Sequence, residues 1–405
     1  MLGKGTAWPS YLVVFVASAC TMVIELVAGR MMAPIIGVSL YSWTSIIGVV
    51  LAGISLGNYL GGRIADRLPR PQTLGSLLLL SGLSSLGILA LIQGSWGRLV
   101  DLPIPLLAKI TLLTATLFFL PSCLLGTISP LVVKLALKEL ATTGSTVGKI
   151  YAFSTVGSIV GTFATGFLLI SWLGTRAVVG WVAVLLVAIG LLYGEFWRRG
   201  QAIAAVSLIL FLGFGYYLND KSAFTSPYWK ESNYYSIRFY NLSDGDGGDS
   251  GSVRAMVLDH LVHSFVSLSD PTRLDYGYER VYADILEYMA QTRPSVDTLF
   301  IGGGGYAFPR YMEHLYPTSH LEVIEIDPEV TRAAYEEMGL PQDSRIVTHN
   351  MDARLFFTNG DARQERHDLV LGDAFNDLSI PYHLTTLEFN QMLKASRADA
   401  SNSWG

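Results

Sequence analysis

The feature that most constrains this chain is a series of long segments, all before Asn219, without one Asp, Glu, Lys or Arg. They are Met31–Gly62, Pro71–Gly97, Ile110–Val133, Ile150–Thr175, Ala177–Gly194 and Gly200–Asn219. A helix that crosses a bilayer needs about 20 mostly apolar residues. One such run could be a buried core helix, but a series of them reads as a membrane bundle. About seven spans are expected in a membrane domain over residues 1–219: Tyr11–Gly29, Trp43–Gly62, Leu74–Ile92, Leu106–Leu125, Tyr151–Leu173, Val178–Tyr193 and Ala202–Leu218. The first lies behind Lys4 like a signal peptide. It lacks a small-residue cleavage site and is followed at once by further apolar segments, so it reads as a membrane helix. Small residues such as Gly157, Gly161 and Gly166 are expected to let these helices pack closely.

Charge then sets the orientation. Arg63, Arg67 and Arg70 follow the second span, Lys134, Lys138 and Lys149 the fourth, and Arg198 and Arg199 the sixth. These are alternate loops, so all point to a cytoplasmic N-terminus in the inner (plasma) membrane. An odd number of spans would put the rest of the chain outside the cytoplasm, where nucleotide cosubstrates are scarce. Either the last segment is not a full span, or Leu106–Leu140 hides another crossing, or the second half is extracytoplasmic; cytoplasmic is the favoured side. Cys20 and Cys123 lie in apolar segments and read as core residues, with no disulfide framework and no metal set. A net charge of -5 without a basic run argues against nucleic acid as a partner. Glu25, with Arg30 beyond it, is an ionisable residue at membrane depth, to be read as functional or as a structural pair.

After the linker Asn219–Tyr228 the pattern changes. A linker and small β-domain are expected over 220–268, with strands at Tyr234–Tyr240, Val253–Leu258 and Leu261–Ser267 and a Gly/Asp-rich loop at Ser243–Gly251. A helix at Tyr278–Gln291 opens an α/β domain over 269–394. Strands follow at Thr298–Ile301, His320–Ile326, Arg345–Thr348 and Asp368–Leu371, with helices from Phe308, over Glu329–Met338 and near Arg354. Strands alternating with helices imply a parallel sheet whose ligand sits at the carboxyl ends of the strands.

Four glycines, Gly302 to Gly305, follow the first parallel strand and would let the backbone approach a ligand closely. Glu325 and Asp327 end the next strand, at the distance where an acid can accept hydrogen bonds from ribose hydroxyls. Asp352 follows the third strand and Asp373 the fourth. Acids at successive strand tips converge on one crevice; the plainer alternative is that they cap helices and turns.

In order, Glu231-x-x-Tyr234, Val257-Leu258-Asp259, the glycine turn, Glu325-Ile326-Asp327-Pro328, Met351-Asp352-Ala353 and His367-Asp368-Leu369-Val370-Leu371-Gly372-Asp373 resemble the spermidine synthase family over Pro227 to Leu393. The first half is similar to the membrane segment of fused transporter-like/spermidine synthase-like proteins, and Gly62-x-x-x-Asp66-Arg67-x-x-Arg70 resembles a loop motif of major facilitator transporters. The resemblance implies an α/β Rossmann-like S-adenosylmethionine-dependent transferase fold. It also implies transfer of an aminopropyl group from decarboxylated S-adenosylmethionine to a polyamine or related amine. Asp373 would be catalytic. Gly302, Gly303, Gly304, Glu325, Asp327 and Asp352 would hold the cosubstrate, and Tyr234, Asn376 and Asp377 would lie on the amine side. No permanently bound cofactor is implied; decarboxylated or intact S-adenosylmethionine enters as cosubstrate. Expected partners are the lipid bilayer and a small-molecule amine, with a homodimer left open.

The departures fall on the amine side. Gly305 stands where the family has an Asp, Tyr306 and Ala307 replace two glycines, Tyr235 replaces a Gln, and Asp259-His260 and His263 replace an Asp-Gly turn and a later Gln. Asn376 replaces one member of an acidic pair near Asp373. The four parallel strands fall short of the family's seven, and the polar tail 395–405 carries no strand pattern. A truncated product, inactive for that reason, is therefore an expectation. Two rivals remain: another S-adenosylmethionine-dependent enzyme such as a methyltransferase, and a non-catalytic transporter-like or sensory membrane protein. His260-x-x-His263 lacks further ligands for a metal site, and Tyr382-His383 are expected to shape a lid.

Overall fold

The computed structural model describes residues 8–94, 103–137, 142–194, 228–242, 253–359, 367–375 and 380–396. The chain divides into two compact units, Met1–Thr225 and Ser226–Gly405. The first is helical: α1 Trp8–Ile36, α2 Leu40–Arg67, α3 Pro71–Gly94, α4 Leu106–Ala136, α5 Thr143–Leu173 and α6 Thr175–Tyr193. Among the described residues, six helices are long and apolar enough to cross a membrane. The seventh expected segment, Ala202–Leu218, lies outside the described residues, as do Lys4, Lys138, Arg198 and Arg199. Among the described residues of Leu106–Leu140 there is one helix and no second crossing, because α4 runs past the expected end at Leu125 through Thr127 to Ala136.

Packing inside this unit follows the small residues. A Cβ on Gly157 or Gly161 of α5 would strike the backbone of Phe15 or Ala19 of α1, so those two helices touch main chain to main chain. Gly57 and Gly61 do the same for α2 against Cys123 and Thr127 of α4. Gly166 corrects the expectation for its own position: it faces open space and makes no close approach. The Ser18 and Ser154 hydroxyls hydrogen-bond across the α1–α5 contact at 2.7 Å. Elsewhere the helices expose large apolar side chains, including Ile159, Phe163, Phe167, Trp172 and Trp181. Lipid can cover such surface; water covers it only at a cost.

The described residues of the second unit form two sheets. The antiparallel one runs β1 Tyr228–Glu231, β2 Ser236–Leu242, β3 Val253–Leu258 and β4 Leu261–Ser267 in sequence order. Its first strand was not anticipated, and β2 starts later than expected. The reason is local: the Ser232 hydroxyl oxygen accepts from the backbone N–H of Tyr234 and Tyr235 at 3.0 and 2.8 Å, which turns the chain before β2 can begin. Asp259 takes a left-handed φ of 54° in the tight β3–β4 turn. The Ser243–Gly251 loop lies outside the described residues.

The parallel sheet has β5 Thr298–Ile301, β6 Leu321–Ile324, β7 Val347–His349 and β8 Leu369–Gly372, in the order β7-β6-β5-β8. Helix α7 Gly277–Ala290 precedes it. Helices α8 Ala307–Leu315, α9 Pro328–Glu337 and α10 Ala353–Asn359 connect its strands, and α11 Leu387–Ser396 follows. The β5 strand matches the expected limits, while β6 and β7 are shorter and shifted by one or two residues. Ile237, Met256, Leu258 and Val266 of the antiparallel sheet pack in one core with Ala307, Val330, Ala333 and Met338 from α8, α9 and the residue after α9. Lys230–Glu329 (2.7 Å) and Arg254–Glu337 ion pairs fasten the same contact. The expected tail at 395–405 falls almost wholly outside the described residues.

Candidate functional site

The strand order reverses between β5 and β8, and an open parallel sheet binds ligands in the crevice at such a point, beyond the carboxyl ends of its strands. A cavity of about 560 Å³ lies there, lined among others by Gly302, Gly304, Glu325, Asp352 and Asp373. That volume suits a drug-sized ligand such as a nucleoside with a short side chain.

Gly302 has φ +98° and a Cβ there would sit 2.5 Å from the Asp373 carbonyl oxygen, so the turn after β5 and the end of β8 can meet only at a glycine. Gly303 presses on the ring of Tyr306, which is fully buried at φ 57° beneath the turn. The Tyr306 hydroxyl reaches Thr331 and Thr348 at 3.1 and 3.2 Å. A tyrosine thus supports the loop from below at the position where the resemblance has a glycine.

Glu325 is 6% exposed, and its two carboxylate oxygens accept from the N–H of Gly303 (2.8 Å) and of Asp327 (2.9 Å). Burial pushes its pKa up, and these backbone hydrogen bonds oppose the shift. Gly304 N–H also donates to this carboxylate, so the glycine turn is held to Glu325 at two of its residues, and the carboxylate still lines the cavity. Asp327 is placed elsewhere. It does not line the cavity: one oxygen accepts from Glu329 N–H (3.0 Å) and caps α9, and the other accepts from the Ser232 hydroxyl. Asp352 lines the cavity while accepting from Leu355 N–H (3.1 Å) and meeting His383 Nε2 at 2.8 Å. His383 lines the cavity too, whereas Tyr382 is 84% exposed.

Asp373 accepts from the Tyr278 hydroxyl at 2.7 Å. Burial raises its pKa, while the Tyr278 hydrogen bond and nearby His263 pull it back. Tyr234 stands outside the lining and is half exposed; its neighbour Tyr235 takes that wall. Asn376 and Asp377 lie outside the described residues. Sequence reasoning missed Tyr276, Tyr278, Glu279 and Tyr282, all at or next to the N-terminal end of α7. The available signal was three tyrosines and a glutamate bunched just before the glycine strand, with Tyr278 and Tyr282 on one helical face.

No protein-family model matches this chain. A polyamine aminopropyltransferase of Vibrio vulnificus is 34% identical over 110 residues, which make up 26% of this chain and 37% of that protein. The chain therefore spans little more than a third of that relative's length. A polyamine aminopropyltransferase of Streptomyces coelicolor is 24% identical over 412 residues, 96% of this chain and 74% of its own, so the alignment runs through the helical half as well. A solved structure of a probable spermidine synthase from Corynebacterium glutamicum overlays 40% of this chain and 57% of its own at 21% identity, with a TM-score of 0.35. The fold assignment rests on the strand order rather than on that overlay. Relatives with transferase names thus cover most of the chain at low identity.

Proposed function

We propose that this chain is a membrane-anchored, spermidine synthase-like transferase that moves an aminopropyl group from decarboxylated S-adenosylmethionine to a polyamine or related amine. The observation that carries the reading is the meeting of Glu325, Asp352 and Asp373 around one cavity at the switch point of the sheet. Glu325 would accept from the ribose hydroxyls and Asp352 would face the adenine side. The six apolar helices would hold the chain in the bilayer.

In the reaction, the lone pair of a neutral amine nitrogen attacks the propyl carbon attached to sulfur. The new C–N bond forms as the C–S bond breaks, and the bonding pair returns to sulfur, leaving neutral methylthioadenosine. The attacking nitrogen then carries a surplus proton, which Asp373 accepts. A carboxylate whose pKa is raised by burial is the stronger base for that step. Tyr278 keeps the Asp373 carboxylate aimed, and the negative charge also favours the cationic reactants.

A second reading is a methyltransferase using intact S-adenosylmethionine; Gly305, where the resemblance has a carboxylate, supports it. The test is release of methylthioadenosine by the full chain in lipid nanodiscs supplied with decarboxylated S-adenosylmethionine and putrescine. Asp373→Asn is expected to slow release by about 100- to 10,000-fold, the usual span for losing a general base. Turnover of intact S-adenosylmethionine with methyl transfer would replace the first reading by the second.

A further inference from the structure

A second carboxylate, Glu279 in the first turn of α7, is buried beside the same cavity, and nothing above gives it a role. It is 4% exposed. One of its oxygens is satisfied from the Tyr276 backbone, and the other has no hydrogen-bond partner among the described residues. A buried carboxylate oxygen without a partner is costly and calls for a reason. A recess of about 30 Å³ beneath the glycine turn is lined by Glu279, Ser264, Gly305 and Asp373, and it shares walls with the main cavity at Gly302, Gly304 and Tyr278. The Ser264 hydroxyl is also buried and unpartnered. It occupies the space where a side chain on Gly305 would go: a Cβ there would lie 2.5 Å from its oxygen.

Three features of the recess select its occupant. Its volume matches one water or one ammonium group. Two carboxylates, Glu279 and Asp373, face it, with Asp275 also close enough to act on Glu279. Tyr278 and Tyr282 meet edge-on at 5.4 Å, and both line it. Aromatic faces and carboxylates together attract an organic cation and repel an anion.

We propose that Glu279, with Asp373, Ser264 and the rings of Tyr278 and Tyr282, binds the terminal ammonium group of the propyl chain being transferred. The inference rests on the aminopropyl reading above and deepens it. The negative charge missing at Gly305 is supplied from α7 instead of from the glycine loop. Intact S-adenosylmethionine would bring its own carboxylate against Glu279 and Asp373, so the recess discriminates against it.

The test is calorimetric titration of the full chain in nanodiscs with decarboxylated S-adenosylmethionine and with methylthioadenosine, which keeps the nucleoside but has no ammonium. Glu279→Gln is expected to weaken the first by about tenfold or more and the second by less than about twofold, the loss of one charge-assisted contact. Glu279→Asp is expected to recover part of the loss. Equal weakening of both ligands would make Glu279 structural, and an unchanged response to the first would leave the recess to a water molecule; either overturns the inference while the transferase reading stands. Preference of the unmodified chain for intact S-adenosylmethionine would remove both.

Discussion

Glu325 and Glu279 are the same residue type and equally buried, one lining the main cavity and the other the recess that adjoins it, and they are satisfied in opposite ways. Glu325 holds backbone N–H groups from Gly303, Gly304 and Asp327, and so fixes the glycine turn before any ligand arrives. Glu279 leaves one oxygen unpartnered in a cation-sized recess. Preorganised donors and acceptors cost nothing further at the moment of binding, whereas an unpaired buried charge is relieved only when its counter-ion enters. On this account the nucleoside wall is finished in the free protein, and the amine wall is completed by the substrate.

The comparison can be broken in several ways. Beyond the loss of turnover expected for Asp373→Asn, Glu325→Gln should weaken decarboxylated S-adenosylmethionine and methylthioadenosine alike. The expected loss is about 10- to 100-fold, from charge-assisted hydrogen bonds. A loss confined to one ligand, read by the same calorimetry, would erase the distinction between the walls.

pH sharpens the contrast further. Burial pushes the pKa of Glu279 up to about 7, from 4.5 in an unperturbed carboxyl. Asp373, Asp275, His263 and the hydroxyls of Tyr276, Tyr278 and Tyr282 surround or influence it. A cation prefers the ionised form, so affinity for decarboxylated S-adenosylmethionine should fall as pH drops below about 7, by up to about tenfold per unit. Methylthioadenosine affinity should stay flat over the same range. Stability moves the other way: with the folded pKa raised, the contribution of Glu279 is fully present below 4.5 and is lost as pH rises through about 7. A denaturation series across that window checks the sign. The smallest expected effect is Asp327→Ala, which removes the α9 cap and the Ser232 partner. It should cost about 1–2 kcal/mol in denaturant unfolding and leave ligand affinity nearly unchanged.

How much of this was legible in the sequence differs by element. The limits of β3, β4 and β5 follow from local alternation and bounding turns. The described helices of the first unit follow from long apolar stretches, each free of charge except that of α1, which carries Glu25. The expected end of α4 at Leu125 falls short of the observed end at Ala136. In the structure Pro121 sits in the α-helical turn that follows the π-helical turn Ala115–Phe119, and Gly126 packs against Ile54 and Gly57, so the helix continues. Asp373 and Glu325 were legible because strand ends announce themselves. Asp327 was read as a ligand contact although its place before Pro328 also fits a helix cap, and the structure uses it as one. Glu279 was legible only as one member of the tyrosine-rich cluster, and its burial in the recess was not. Its setting depends on where the start of α7 meets the end of β8, about ninety residues further on, and no local pattern encodes that meeting.

The measurement that tests the central claim most directly is methylthioadenosine release by the full chain in nanodiscs, with decarboxylated S-adenosylmethionine and putrescine, for the unmodified chain and Asp373→Asn. The account predicts release coupled one-to-one to an aminopropylated amine, and its near loss in the variant. Release that continues undiminished in Asp373→Asn would contradict it, as would a chain that binds the nucleoside and never turns over.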